Sequence, residues 1–428
     1  MRILLIGAGG VGGAFAAIIA RRNFVSQLVI ADVNLSKAQA VAGHVAMSGI
    51  DIQAETVDAS SQESVYNLAR KYNADAIVNL CAPLFNPPIF AAAFQAGCTY
   101  LDTACNLSQP HPLEPYSKMG VTLGVDQFAQ FDAWRDRGIL ALTGMGVEPG
   151  LSDVFARYAS DHLFSSIDEI GVRDGSDLVV EGYAFAPTFN IWTTIEECLN
   201  PPILYQRERG WFTTEPFSEP EMFEFPEGIG TLQCVNVEHE EVLFIPRHID
   251  VNRVTFKYGL GDEFIDVLKT LHKLGLDSTK KIRVGNADIS PRDLVAAALP
   301  DPAKLGDRMH GKTCAGTWVK GIGRDGLPRE TYLYHLIDNA TTMREYGCQA
   351  VVWQTAMNPA IALELIHAGV WRGAGVFCPE AFDAVPYLKL LEAYGVPHKI
   401  EERIPNSGLV LPSLSSGQSD LSQIWNLE

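Results

Sequence analysis

Arg2-Ile-Leu-Leu-Ile-Gly-Ala-Gly-Gly-Val-Gly12 decides the fold. A short apolar run of this kind reads as a buried strand, and it leads straight into a G-x-G-x-x-G turn, Gly7-Ala8-Gly9-Gly10-Val11-Gly12, that opens a helical stretch at about 11–22. Each glycine has a separate task. The first permits the tight turn, the second lets the backbone approach a pyrophosphate, and the third lets helix and strand pack closely. Free N–H groups at the helix start then face the phosphate charge. Twenty residues past Gly12, the apolar run Leu28-Val-Ile-Ala31 ends in Asp32, where a carboxylate accepts hydrogen bonds from an adenosine ribose. That charge repels a 2′-phosphate, so NAD is expected ahead of NADP, with NADP kept possible by Lys37 nearby. The plainer reading is a glycine turn in a non-binding α/β domain, with Asp32 as a helix cap.

Outward from this turn, residues 1–145 alternate short β-branched runs with helical stretches, which predicts a Rossmann-type, doubly wound parallel sheet. Strands are expected at Ile3–Ile6, Leu28–Ala31, Ile52–Thr56, Ala76–Asn79, Thr99–Asp102 and Ile139–Thr143, and helices at about 11–22, 35–48, 61–72, 87–96 and 126–137. Residues 146–345 read as an α+β substrate-binding and oligomerisation domain with a mostly antiparallel sheet. Its signals are hairpin turns at Gly228-Ile-Gly230 and Arg324-Asp325-Gly326 and strands at Val251–Tyr258 and Thr331–Asp338. An apolar helix at about 356–368, a glycine-rich turn at Gly369–Gly375 and a helix near 380–394 are expected to fold back and complete the first domain over about 346–400. Residues 406–428, rich in Ser, Leu and Gly, read as a tail.

Composition narrows the class. The chain has 428 residues, 47% of them apolar and 20% charged, which suits a two-domain globular enzyme. No apolar run of about 18 residues exists, the longest being cut by Arg21 and Arg22 or by Pro87 and Pro88, so no membrane helix is expected. A strand starting at Met1 leaves no room for a cleaved leader, which points to a cytoplasmic protein. The eight cysteines show no C-x-x-C pair or metal spacing, so they read as reduced core residues and no metal is expected. A net charge of −18 disfavours nucleic acid as a partner and mildly attracts cationic small molecules.

Four motifs in order, Gly7-Ala-Gly-Gly-Val-Gly12, Asn79-Leu-Cys-Ala-Pro83, Tyr100-Leu-Asp-Thr-Ala104 and Gly144-Met-Gly-Val-Glu-Pro-Gly150, carry a resemblance. The sequence resembles the saccharopine dehydrogenase family in the wide sense that takes in saccharopine reductase, lysine 6-dehydrogenase and carboxynorspermidine dehydrogenase. Tyr100–Ala104 and Ala184-Phe-Ala-Pro-Thr-Phe-Asn-Ile191 look nearest to the last of these branches, whereas the stretch from Trp192 to Pro202 matches none of them cleanly. The resemblance implies hydride transfer between a nicotinamide ring and a CH–NH unit of an amino acid or polyamine conjugate, in a homodimer.

In such a sheet the ligand lies beyond the carboxyl ends of the strands. Besides the glycine turn, expected cofactor contacts are therefore Asp32, Val33, Asp58, Ala59, Asn79, Cys81 and Ala82. Asp102 and Asp126 are the candidates for the proton donor that imine reduction needs. Asp102, Cys105, Glu148, Gly150, Arg173 and Trp192 are the expected substrate contacts, with Arg247, His248 and Trp353 as weaker ones, and each also has an ordinary reading as cap, salt bridge or core. The leading function is NAD(P)-dependent reduction of an imine formed from an amino-acid semialdehyde or oxo acid and a diamine or basic amino acid. The alternatives are oxidative deamination of a terminal amine, as of lysine, and a dinucleotide-binding regulatory protein without catalysis.

Overall fold

β1 (Arg2–Ile6) shows why the first sheet is buried on both faces. Ile3 and Leu5 join one apolar core, and Leu4 and Ile6 join another on the opposite side. A strand covered twice needs a continuous apolar run, which β2 (Gln27–Asp32), β4 (Ala76–Asn79) and β6 (Leu140–Leu142) also carry. β5 (Thr99–Asp102) is buried beyond Thr99, and the edge strand β3 (Asp51–Thr56) alternates polar, solvent-facing residues with apolar ones. The order is Gly375–Phe377, β6, β5, β4, β1, β2, β3, and every pairing is parallel. The computed structural model describes residues 1–395 and 397–403. The tail expected at 406–428 lies outside the described residues.

The edge strand Gly375–Phe377 comes from the far end of the chain, with Gly375 opposite Leu140. Before it, the helix Ala350–His367 packs on α1 (Gly10–Ile19), and Arg22 clamps Glu364 at 2.8 Å. Residues 356–368 were expected as this helix. It starts earlier because the Gln349 side chain caps it, accepting from the Val351 N–H at 2.8 Å, and it runs through Pro359.

The helix expected over 126–137 is instead two short ones, Val125–Phe128 and Phe131–Asp136. The break turns Gln127 inward toward Asp102 while Asp126 faces solvent. α1 also stops at Ile19, and the helix expected from 380 begins at Ala384, after a separate turn at Pro379–Ala381.

The second domain is built on a nine-stranded sheet whose long central strand, β7 (Phe164–Ser176), lies antiparallel to Lys312–Gly323 and parallel to Val251–Gly259. The other pairings in this sheet are antiparallel, and both hairpin signals close real hairpins, Glu221–Phe225 with Gly230–Asn236 and Lys312–Gly323 with Pro328–Asp338. Ile170 and Val172 of β7, with Val254 and Phe256 of its parallel neighbour, belong to the core shared with the first domain. Strand alternation therefore points Asp174 and Tyr258, which are paired in register, toward the same side. The stretch from Trp192 forms a helix, Ile191–Leu199, started by the Asn190 side chain accepting the Trp192 N–H at 3.0 Å.

Candidate active site

The loops at the carboxyl edge of the parallel sheet meet the second domain, the Cys105 N–H donating to Glu240 at 3.0 Å, and this junction is the candidate cleft. On the cofactor side, a Cβ on Gly12 would lie 1.9 Å from the Gly7 carbonyl oxygen, so only glycine lets α1 pack this closely on the turn. A Cβ on Gly9 would meet nothing within 4 Å, which leaves open space over the helix start where a pyrophosphate fits. Asp32 is held at the end of β2 by the N–H groups of Ala8 and Asn34, both at 2.9 Å, beside the glycine turn. Its carboxylate is placed for a ribose, and the residues present fit a dinucleotide.

Val33 is 75% exposed next to it. Asp58 is exposed and accepts from the Ser60 N–H at 2.9 Å and from its hydroxyl, which lowers its pKa, and Ala59 beside it is half-buried. After β4, Cys81 and Ala82 are half-buried. Burial, aided by the Asp32 charge, pushes the Cys81 thiol up to about 12, so it stays neutral.

Asn79 is a brace. Its amide donates to Asn86 Oδ1 at 2.7 Å and to the Tyr100 hydroxyl at 3.1 Å, and its oxygen accepts the Cys81 N–H. The Tyr100 hydroxyl passes the chain on to Asp102 Oδ2 at 2.8 Å. Asp102, only 1% exposed, also accepts from Gln127 at 2.8 Å and from the Gly144 N–H at 2.7 Å. Burial raises its pKa to about 7 against these bonds, but three protein donors already occupy its oxygens, a geometry that favours bracing the loop after β6 over delivering a proton. Asp126 is not brought to the cleft.

That loop carries Glu148 on the cis Glu148-Pro149 peptide, and Gly150, at φ +135°, sits where a Cβ would be 2.1 Å from the Gly146 oxygen. No donor closes a well-formed hydrogen bond to either Glu148 oxygen, and the polar groups nearest to it are the Asp174 carboxyl and the Gly316 N–H. Burial, followed by the charges of Asp174 and Glu241, holds this carboxyl well above the usual range. Asp174 faces it and is raised to about 6 by burial. The sequence reading named Arg173, one residue off. By strand parity its guanidinium lies on the opposite face, bonded to Glu221 and 5.7 Å over the Trp318 ring.

Trp192 also points away from the cleft, donating to Asp293 at 3.1 Å under the Arg292 guanidinium. Arg247 covers the Phe128 ring at 4.5 Å, His248 is exposed, with its pKa lowered by partial desolvation and by Arg157 and Arg247, and Trp353 is core.

The sequence reading missed the run Glu238-His239-Glu240-Glu241. All four are buried, between the strand Gly230–Asn236 and the helix Glu241–His248. His239 Nδ1 lies 2.5 Å from Glu241 Oε2, the other Glu241 oxygen accepts from Ser152 at 2.8 Å, and Glu240 accepts the Cys105 N–H at 3.0 Å. The His239 ring stacks on Phe256 at 3.7 Å, and its Nε2 has no partner. Burial opposes charge on this ring, yet Glu241, Glu240 and Glu197 push it up to about 10. Glu197, on the helix Ile191–Leu199, is raised to about 8 and Glu238 to about 7, both chiefly by burial. Asp153 and Glu380 form a further buried acid pair. One atom each of His239, Glu240 and Glu241 lies within 4.8 Å of the others, near enough to hold a divalent ion, although His239 Nδ1 is already taken by Glu241.

These shifts fix the sign of a pH effect. A carboxyl whose folded pKa is raised binds more protons folded than unfolded, so stability falls as pH rises between the two values. His239, raised toward 10, loses its contribution in the same direction above about 6.5. The melting temperature of the ligand-free protein is expected to fall steadily from pH 6 to 9, and a flat or rising profile would contradict this assignment of charges.

The saccharopine dehydrogenase NADP-binding domain model matches residues 3–142, and the saccharopine dehydrogenase C-terminal domain model matches residues 146–396. The chain is 29% identical over 398 residues to the carboxyaminopropylagmatine dehydrogenase of Synechocystis sp., covering 92% of this chain and 96% of that one. It is 29% identical over 424 residues to the carboxynorspermidine synthase of Vibrio alginolyticus, covering 96% and 99%. Among solved structures, the apo saccharopine dehydrogenase (L-Glu forming) of Saccharomyces cerevisiae aligns over 94% of this chain and 100% of its own with a TM-score of 0.68, a likeness of fold at 14% identity. With both domains matched along nearly their whole length, the chain belongs to the saccharopine dehydrogenase family of NAD(P)-dependent oxidoreductases.

Proposed function

We propose that this enzyme reduces the imine formed between an amino-acid semialdehyde or oxo acid and a diamine or basic amino acid, giving a secondary amine of the carboxynorspermidine or carboxyaminopropylagmatine kind. The observation that carries the reading is the pair Glu148 and Asp174, two buried carboxyls within hydrogen-bonding reach of each other at the loop after β6. A nicotinamide bound there supplies hydride to the imine carbon. The carboxyl pair holds a proton at neutral pH and gives it to the imine nitrogen, so that C=N becomes CH–NH and the pair regains its proton from solvent. Asp102 and Asn79 fix the loops on which the nicotinamide side rests. The names of the two relatives support a polyamine precursor as product.

The test is NADH absorbance with purified protein, aspartate semialdehyde or 2-oxoglutarate, and in turn 1,3-diaminopropane, putrescine, agmatine or lysine. Oxidation that requires both carbonyl and amine is expected, and oxidation with either alone would sink the reading. Asp32 supports NADH over NADPH, and kcat/KM at least about tenfold higher for NADH is expected. Equal use of the two cofactors would refute that preference. A homodimer is proposed from the family resemblance, and light scattering is expected to give twice the 46.8 kDa of the chain rather than that mass itself. A cytoplasmic location is proposed too, which the free cysteines of the described residues suit, and fractionation of cells tests it.

A further inference from the structure

We propose that the two-stranded hairpin of residues 282–289, with the helix Asp262–Lys273 that precedes it, is a contact surface for a second copy of this chain, each hairpin lying against the start of the other copy's helix. The inference rests on the homodimer proposed above and names the surface that forms it.

The hairpin pairs the strand Ile282–Val284 with Ala287–Ile289 around a turn at Gly285-Asn286, and no third strand joins it among the described residues. Every residue from 279 to 288 is exposed. A hairpin alone in water is marginally stable, because nothing covers its apolar side. Here that side is well defined. Register pairs Ile282 with Ile289 and Val284 with Ala287, so these four share one face, while Arg283 and Asp288 form an ion pair at 3.3 Å on the other. Ile282 and Val284 are 51% and 50% exposed, and Leu274 and Leu294 add exposed apolar surface before and after them. The base of the hairpin is closed: the Arg292 N–H donates to the Ser278 carbonyl at 3.1 Å, and its Nε donates to the Asp277 carbonyl at 2.6 Å. The Arg292 guanidinium also holds Glu196, which fixes that base to the helix Ile191–Leu199. An apolar face held out into solvent from an anchored base marks a place of contact.

Charge selects the partner. Lys273, Lys280 and Lys281 are exposed and form no ion pair among the described residues, so the hairpin and its approach are a basic point on a chain of net charge −18. The helix opens on Asp262 and Glu263, followed by Asp266, all three exposed and likewise without an ion pair among the described residues. Acids and lysines thus sit at opposite ends of an element about 18 Å long. Within one copy they do not pair. Two copies related by a twofold axis, with these helices antiparallel, bring each basic end to the other's acidic end, because in such a contact residue i meets j and j meets i. An acidic partner of another kind would match the lysines and leave Asp262, Glu263 and Asp266 unmatched. An interface of ordinary size takes about 20–30 residues from each side, which the stretch 262–294 supplies.

The experiment is light scattering on the full chain over a range of concentrations, with the native protein expected to be a dimer. Lys280→Glu with Lys281→Glu, and separately Asp262→Lys with Glu263→Lys, each set like charges together in both halves of the contact and should raise the dimer dissociation constant by at least about 100-fold. Mixing these two variants in equal amounts should restore a dimer to within about tenfold of native affinity. The hairpin glutamates of one then meet the helix lysines of the other, and the second half of the contact is native. Recovery on mixing also shows that both variants are folded. Ile282→Asp with Val284→Asp should weaken the dimer as strongly, by putting charge on the apolar face. Variants that stay dimeric beside a dimeric native protein, or a mixture that stays monomeric, overturn this surface and leave the homodimer standing. A monomeric native protein ends the homodimer reading and this surface with it, and leaves the hairpin to a partner of another kind.

Discussion

Replacing Glu148 by glutamine is expected to lower kcat by about 100-fold or more, with little change in the affinity for NAD(P)H. The amide has the shape of the acid but no proton to give, and the change leaves the cofactor turn untouched. Because burial and the neighbouring charges of Asp174 and Glu241 favour the protonated form, the native enzyme delivers its proton across neutral pH and loses this ability as the pair ionises. The native kcat should therefore fall on the alkaline side, and in Glu148→Gln that limb should flatten. Stopped-flow measurement of hydride transfer across pH separates this outcome from slow product release. A variant within threefold of the native kcat would remove Glu148 as the donor.

The second large effect is expected at the glycine turn. In Gly12→Ala the new Cβ would sit 1.9 Å from the Gly7 oxygen and 3.0 Å from its carbon, both backbone atoms, so α1 or the turn must move. NADH affinity should drop by at least about tenfold, and the melting temperature should fall by several degrees, since overpacking of this kind costs about 1–3 kcal/mol. Gly9→Ala is the informative partner, because its Cβ meets no protein atom within 4 Å. It should melt like the native protein yet bind NADH poorly, because only the pyrophosphate occupies that space. Fluorescence titration and thermal melts of the two variants check both statements. Native affinity in Gly9→Ala would mean that the dinucleotide lies elsewhere.

The first domain could be read from the sequence because its inner strands β1, β2 and β4 are buried on both faces and so carry apolar runs, and because the glycine turn and Asp32 have a fixed spacing. The acidic lining of the cleft could not. Glu238-His239-Glu240-Glu241 looks like a solvated charge run, and it is buried by packing of the following helix on the strand Val251–Gly259 together with contacts to the first domain, Phe244 on Phe128 and Glu240 on the Cys105 N–H. A signal was present: four polar residues sit between the apolar segments that end at Val237 and begin at Val242, with no lysine or arginine among them. Arg173 and Asp174 show a different limit, since adjacent residues on a strand face opposite ways and the parity of β7 is set by its neighbours. Asp102 was found, but its oxygens proved to be engaged by Tyr100, Gln127 and Gly144.

The return of Gly375–Phe377 to the first sheet has a consequence for the chain as it leaves the ribosome. The cofactor-binding half begins at residue 2, yet its edge strand and the helix that covers α1 are made only after the whole second domain has been synthesised. Until then the nascent protein presents β6 without its outer neighbour and α1 without its cover, an unsealed apolar surface of the kind that chaperones bind. Vectorial synthesis thus ties the completion of the first domain to the folding of the second.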